Sequence, residues 1–202
     1  MTKLLKKTMR KEIEKIVKNI PQNEIDRQSN IVFEKIKRSE CIQSCRTIGI
    51  YVSSEGEIKT KSIIDYLFSL NKHVYIPQFK KGCERMKFLR LNNNCKWEEE
   101  LSTTLWGIKQ HGYDDDVIEL NEPIDILLMP AVAYAYQDGG IARLGHGMGY
   151  FDRFIHEHNE RYGRLPYLIG LSLNEQIVDR VPIEDHDVIL HSILVDNCNI
   201  DQ

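Results

Sequence analysis

The sequence predicts an α/β fold, with a mostly parallel sheet covered by helices on both faces. Three observations carry that expectation. Short apolar, β-branched runs alternate with amphipathic helical patterns along the chain. One such run, residues 124–129, is apolar almost throughout, as a buried strand should be. The 202-residue length suits one domain spanning residues 1–202, on a prior of roughly 150 residues per domain.

The elements follow in order. Leu4, Leu5, Met9, Ile13, Ile16, Val17 and Ile20 recur at helical spacing over residues 3–20, and Pro21 stops the run. A second helix is expected over 23–38, with Ile25, Ile31, Val32, Phe33 and Ile36 inward and Lys35, Lys37 and Arg38 in the last turn, where cations suit the helix dipole. Residues 47–52 read as a strand that ends in the loop chemistry of Ser53, Ser54, Glu55 and Gly56. A helix over 59–71 and strands over 73–77 and 86–91 come next, and Pro130 ends the buried strand at 124–129. A helix over 149–162 and strands over 167–172 and 192–195 complete the pattern. Residues 92–121 form the least regular segment, and such segments of α/β domains often carry the site.

Composition narrows the function classes. Apolar residues are 42% and charged residues 28%, which excludes disorder and disulfide-stapled miniproteins. The formal net charge of −3 argues against nucleic acid or an acidic membrane as partner, and no apolar run approaches the roughly 20 residues of a membrane span. The cysteines Cys41, Cys45, Cys83, Cys95 and Cys198 form no C-x-x-C pair, so free thiols in a reducing, cytoplasmic location are expected. The basic N-terminus lacks the apolar region of a secretory signal and is read as part of the fold.

The most informative stretch is RLGHGMGYFDR over 143–153, with glycines at three alternate positions before a helix. Glycine permits positive φ and close approach of the backbone, so successive N–H groups and the positive end of the helix can hold phosphate oxygens. Arg143 adds charge and Asp152 could hold a metal. The spacing matches neither the Walker loop nor the dinucleotide-binding fingerprint.

This stretch resembles the signature of the 5-formyltetrahydrofolate cyclo-ligase (methenyltetrahydrofolate synthetase) family. The resemblance extends, in family order, to the basic Lys6 to Arg10 segment, the 50–58 strand and loop, Trp106 to Ile108, Asp125 to Pro130, and Val181 to Asp187. It implies a three-layer α/β/α sandwich with a mostly parallel sheet, of the isomerase and coenzyme A transferase type. It also implies an ATP-dependent reaction, in which 5-formyltetrahydrofolate and MgATP give 5,10-methenyltetrahydrofolate, ADP and phosphate. Phosphorylation of the poor-leaving formyl oxygen would precede attack by the folate N10, which is positioning and charge neutralisation rather than covalent protein catalysis.

Residue by residue, the resemblance implies ATP contacts from Lys6, Lys7, Arg10, Arg143, Leu144, Gly145, His146, Gly147, Met148, Gly149, Tyr150 and Phe151. Arg143 and Asp152 carry the catalytic role. Folate would be lined by Val52, Glu57, Trp106, Gly147 and Tyr150, and Mg²⁺ held by Asp152 and Asp187. A monomer acting on the two small molecules is expected. His146, Met148, His191 and the 109–111 segment depart from the residues relatives commonly carry. They keep open a nucleotide-binding relative that has lost catalysis. A sugar-phosphate isomerase or acyltransferase relative is the other reading, against which ATP and metal ligands would be superfluous.

Overall fold

The computed structural model describes residues 1–80, 82–94, 96–104 and 107–197. Helices α1 (Thr2–Val17), α2 (Gln22–Arg38) and a short α3 (Glu40–Ser44) precede β1 (Thr47–Ile50), α4 (Lys61–Ser69), β2 (His73–Gln78) and β3 (Lys87–Arg90). Two-residue strands β4 (Ser102–Thr103) and β5 (Lys109–Gln110) pair within the irregular segment. Then come β6 (Ile126–Met129), β7 (Ala133–Gln137), β8 (Gly140–Leu144), α5 (Tyr150–Tyr162), β9 (Tyr167–Leu171), a 3₁₀ turn at Asn174–Gln176, and β10 (Ser192–Leu194).

The main sheet runs β10-β9-β6-β1-β2-β3, parallel throughout except for β3, which pairs antiparallel with β2 at one edge. The two-residue period of a strand divides the core between its faces. Ile126 and Leu128 of β6 share one cluster with Ile48, Ile50, Ile169 and Leu171, packed under Val32 and Ile36 of α2 and Ile63 and Leu67 of α4. Leu127 and Met129 face the other way, with Tyr75, Leu168 and Ile193, against Phe154 and Ile155 of α5. Layers of helix, sheet and helix result, as the alternating pattern led one to expect. At the foot of β6, Asp125 accepts N–H bonds from Arg46 and Thr47 at 2.9 Å each and a 2.8 Å bond from Arg164, so this acid is a clamp on the fold.

The structure adds a hairpin that the expected elements lack. β7 and β8 pair antiparallel through a two-residue turn whose Asp138 and Gly139 have φ of 54° and 80°. Asp-Gly is a strong signal for that turn, because both positions need a left-handed backbone. The hairpin and α1 enclose a third cluster of Ile13, Val132, Ala133, Ala135, Ala142, Leu144 and Val181. Arg143 and Leu144 therefore stand on a strand rather than in a loop.

Gly49 in β1 gives one check of this packing. A Cβ there would lie 2.7 Å from Leu127 Cδ1 and 3.0 Å from the Phe88 ring, both buried. Gly49→Ala should cost about 1–3 kcal/mol in a denaturant melt, the usual range for overpacking a core.

Candidate active site

Parallel sheets offer a crevice outside the carboxyl ends of their strands where the chain order reverses. Here β1 leads to β2 and β3 on one side, while β6 leads to β9 and β10 on the other, so the reversal lies between β1 and β6. A cleft of about 390 Å³ opens above that point, lined by Ser54 and Glu57 after β1, Ala131 and Val132 after β6, Ile13 of α1, and His146. A second cavity of about 420 Å³, lined by Lys72, His73 and Arg90, lies at the opposite ends of the strands, where β2 begins and the antiparallel β3 ends.

The glycine loop borders the cleft at His146. Gly147 has φ of 104°, and Gly149, the residue before α5, has φ of 65°, both left-handed and both suited to glycine. Among the described residues, none of the backbone N–H groups from Gly145 to Asp152 donates to a protein acceptor. Several of them belong to the first turn of α5, where the positive end of the helix adds to their pull on an anion. Arginines pack against the glycines. A Cβ on Gly145 would lie 2.9 Å from Arg143 Nη1, one on Gly147 3.3 Å from the Arg10 guanidinium, and one on Gly149 3.0 Å from Arg153 Nη1. Arg10 Nε also donates to Gly145 O at 2.7 Å. Burial lowers the Arg10 pKa, against the opposing charges of Glu14 and Asp187.

Two carboxylates close the far side. Asp152 accepts a 2.9 Å bond from Arg143 and, through its other oxygen, a 3.2 Å bond from the N–H of Val188, which brings it beside Asp187. Asp187 accepts from Lys6 Nζ and from the N–H of Glu184, and Lys6 also reaches Glu184 at 2.9 Å. Lys6 is buried; desolvation lowers its pKa, but the hydrogen bonds to Asp187 and Glu184 outweigh it and the net shift is upward. The bond to Lys6 holds Glu184 below the ordinary carboxylate range. Glu184, His186 and Asp187 place one ligand atom each within 4.8 Å of one another.

On the cleft's other wall, Glu57 is half-buried at the end of the 50–57 segment and accepts from Ser54 N at 2.7 Å and Ser54 Oγ at 3.0 Å. Desolvation raises its pKa, opposed by the Ser54 N–H and the charge of His146, whose Nε2 lies 4.0 Å away. Val52 is buried beside it in the core.

The family model described as the 5-formyltetrahydrofolate cyclo-ligase family matches residues 2–196. This chain belongs to that family. It is 36% identical over 195 residues to a probable 5-formyltetrahydrofolate cyclo-ligase of Caenorhabditis elegans, covering 95% of this chain and 93% of the relative. Identity to the 5-formyltetrahydrofolate cyclo-ligase of Mus musculus is 27% over 197 residues, covering 95% and 94%. The fold is also that of the 5,10-methenyltetrahydrofolate synthetase of Aquifex aeolicus, with a TM-score of 0.72, 20% identity, and 98% and 96% of the two chains covered. The corresponding protein of Mycoplasma pneumoniae gives 0.70 at 19% identity, covering 95% and 99%.

Within this family member, the residues singled out by resemblance fall into groups. Lys6, Arg10, Arg143 and the loop from Gly145 to Asp152 come together with Asp187, and Glu57 meets the loop through His146. Lys7 is exposed and Leu144 buried in the hairpin cluster. Tyr150 stacks on Phe79 at 5.5 Å, and Phe151 lies beneath the Arg143 guanidinium at 5.5 Å. Trp106 lies outside the described residues.

The departures at His191 and 109–111 have structural explanations. His191 accepts from the N–H of Leu168 at 2.9 Å and stacks on Tyr167 at the start of β9, away from Asp187. His111 is buried against Arg90 O at 3.1 Å. Sequence reading missed Glu184, although it stands three residues before Asp187, and it gave Arg153 no role.

Because the folded Glu57 pKa is raised, the native state holds this proton more tightly than the unfolded chain does. The neutral acid therefore contributes stability below its unfolded pKa, which is lost as pH rises through the folded value. Glu57→Gln should melt higher than wild type at pH 7, and the difference should disappear in melts at acid pH, where Glu57 is neutral.

Proposed function

We propose that this chain catalyses the ATP-dependent cyclisation of 5-formyltetrahydrofolate to 5,10-methenyltetrahydrofolate, releasing ADP and phosphate. The observation that supports this best is the run of unpaired N–H groups from Gly145 to Asp152, at the positive end of α5 and flanked by Arg10 and Arg143. A backbone surface of that kind binds phosphate oxygens, and the family's substrates include a formyl group that must be activated.

Bound along the loop, ATP would present its terminal phosphorus to the formyl oxygen of a folate held in the cleft. That oxygen attacks phosphorus as the bond to ADP breaks. The folate N10 then attacks the activated formyl carbon, the C–O bond to phosphate breaks, and the N10 proton leaves to solvent. Arg10, Arg143 and the N–H groups neutralise charge on the transferring group throughout. Glu57, accepting hydrogen bonds, would fix the pterin; the resemblance also assigns Val52 and Trp106 to the folate, whereas the Tyr150 ring already has Phe79 stacked on it and Arg153 over it.

Asp152 and Asp187 fit Mg²⁺ in their chemistry, as paired hard oxygen donors beside a phosphate site. Each is already paired with a cation, Asp152 with Arg143 and Asp187 with Lys6. Mg²⁺, when bound, supplies charge neutralisation at the phosphates. Lys6 would then be free to turn from Asp187 to a phosphate oxygen. No helix among the described residues is long and apolar enough to cross a membrane. Every group named comes from one chain, which supports a monomer, and scattered cysteines without a C-x-x-C pair support a cytoplasmic location.

Purified protein mixed with MgATP and 5-formyltetrahydrofolate should form the methenyl chromophore only when ATP is present. Nucleotide binding without product would refute the activity and leave a binding relative. Asp152→Asn should lower turnover by at least about tenfold, the loss seen even for outer-shell partners of a metal, with the circular-dichroism melt largely retained.

A further inference from the structure

The glycine loop is gripped from its carbonyl side by two guanidinium groups. Arg10 Nε donates to Gly145 O at 2.7 Å, and Arg153 Nη2 donates to Met148 O at 2.8 Å. The described peptides contain no cis bond, and in a planar trans peptide the N–H points opposite to the C=O. Each bond therefore sets the direction of the next N–H: His146 for Arg10, and Gly149 for Arg153.

Arg153 makes further contacts that none of the steps above uses. Its Nε donates to Glu84 O at 3.1 Å, so one guanidinium bridges two carbonyls from separate segments. The same group lies 5.4 Å over the Tyr150 ring, whose hydroxyl donates to Cys83 O at 3.0 Å. Gly149 lets Arg153 approach: a Cβ there would sit 3.0 Å from Nη1. The Cys83–Glu84 segment and the loop are thereby fastened together beside the first turn of α5.

We propose that Arg153 is a positioning residue for the nucleotide. By clamping the Met148–Gly149 peptide to the Cys83–Glu84 segment, it holds the Gly149 N–H toward the phosphates. This rests on the reading of the loop as the nucleotide site. The role needs an arginine, because a planar fork can donate along two fixed directions at once and a lysine ammonium cannot reproduce that geometry. Arg153 touches no reacting atom, and its effect falls on nucleotide affinity rather than on the folate side.

The test is calorimetric titration of wild type, Arg153→Ala and Arg153→Lys with a non-hydrolysable ATP analogue plus Mg²⁺, and separately with 5-formyltetrahydrofolate, alongside thermal melts. Arg153→Ala should raise the nucleotide Kd by about tenfold, a loss expected when a preorganised donor is released, while the folate Kd stays within about twofold. The melting temperature should stay within about 2 °C, as expected for a half-exposed side chain. Added methylguanidinium should recover the nucleotide affinity of Arg153→Ala, and Arg153→Lys should recover it only in part. A nucleotide Kd unchanged in Arg153→Ala, with wild type binding normally, overturns the proposal and leaves the nucleotide site intact. So does a fall in melting temperature that weakens both ligands together without rescue. Wild type that binds no nucleotide overturns both this proposal and the reading beneath it.

Discussion

A backbone N–H removed from water and given no acceptor costs free energy, so folded chains rarely leave several in a row. From Gly145 to Asp152 none of the described N–H groups donates to a protein acceptor, and the loop tolerates this because His146, Gly147 and Met148 are exposed and the donors stay open to water. The loop is neither helix nor strand until Tyr150, where α5 begins with its first turn still open. Left-handed backbone at Gly147 and Gly149 makes that path possible, and the carbonyls that would otherwise follow the N–H groups around are drawn off by Arg10 and Arg153. What remains is a surface of donors with water or a ligand as its only partner.

The charges around the loop are organised in the same sense. Arg143, buried on β8, is neutralised by Asp152, and Lys6, buried on α1, by Asp187 and Glu184. Buried cations of this kind are tolerable only when paired. The pairing also keeps three carboxylates and two cations beside the donors, where the phosphate and metal of the proposed reaction would redistribute them. Position in the sheet does the rest. The loop and Glu57 reach the same cleft because β1 and β6 are adjacent strands at the reversal of chain order, so groups from distant sequence meet there.

Much of this was legible from residues. Residues 124–129 read as a buried strand, and the structure divides the side chains of Ile126 to Met129 between two clusters as a two-residue period requires. Alternate glycines before a helix are by themselves more often only a turn, and it is Arg143 before them and Asp152 after them that make a phosphate surface legible. Other features turn on tertiary contacts that no local pattern records. Lys6 stands among exposed lysines of α1 and looks like a solvated charge, yet it is buried because Asp187 and Glu184 approach from residues more than 170 positions away. The β7–β8 hairpin is absent from the expected elements although Asp138 and Gly139 mark its turn, because AYAYQ and GIARL lack the β-branched runs that mark the other strands. His191, one of the departures, accepts from the Leu168 N–H, a tertiary contact that its spacing to Asp187 does not record.

The backbone amides can be watched one by one. In a titration of isotopically labelled protein with MgADP, followed by amide proton and nitrogen shifts, the resonances of Gly145, Gly147, Gly149 and the first turn of α5 should move furthest and at one common affinity. If those amides stay still while the largest shifts gather around Lys72, His73 and Arg90 at the opposite edge of the sheet, the loop is not where this protein holds phosphate.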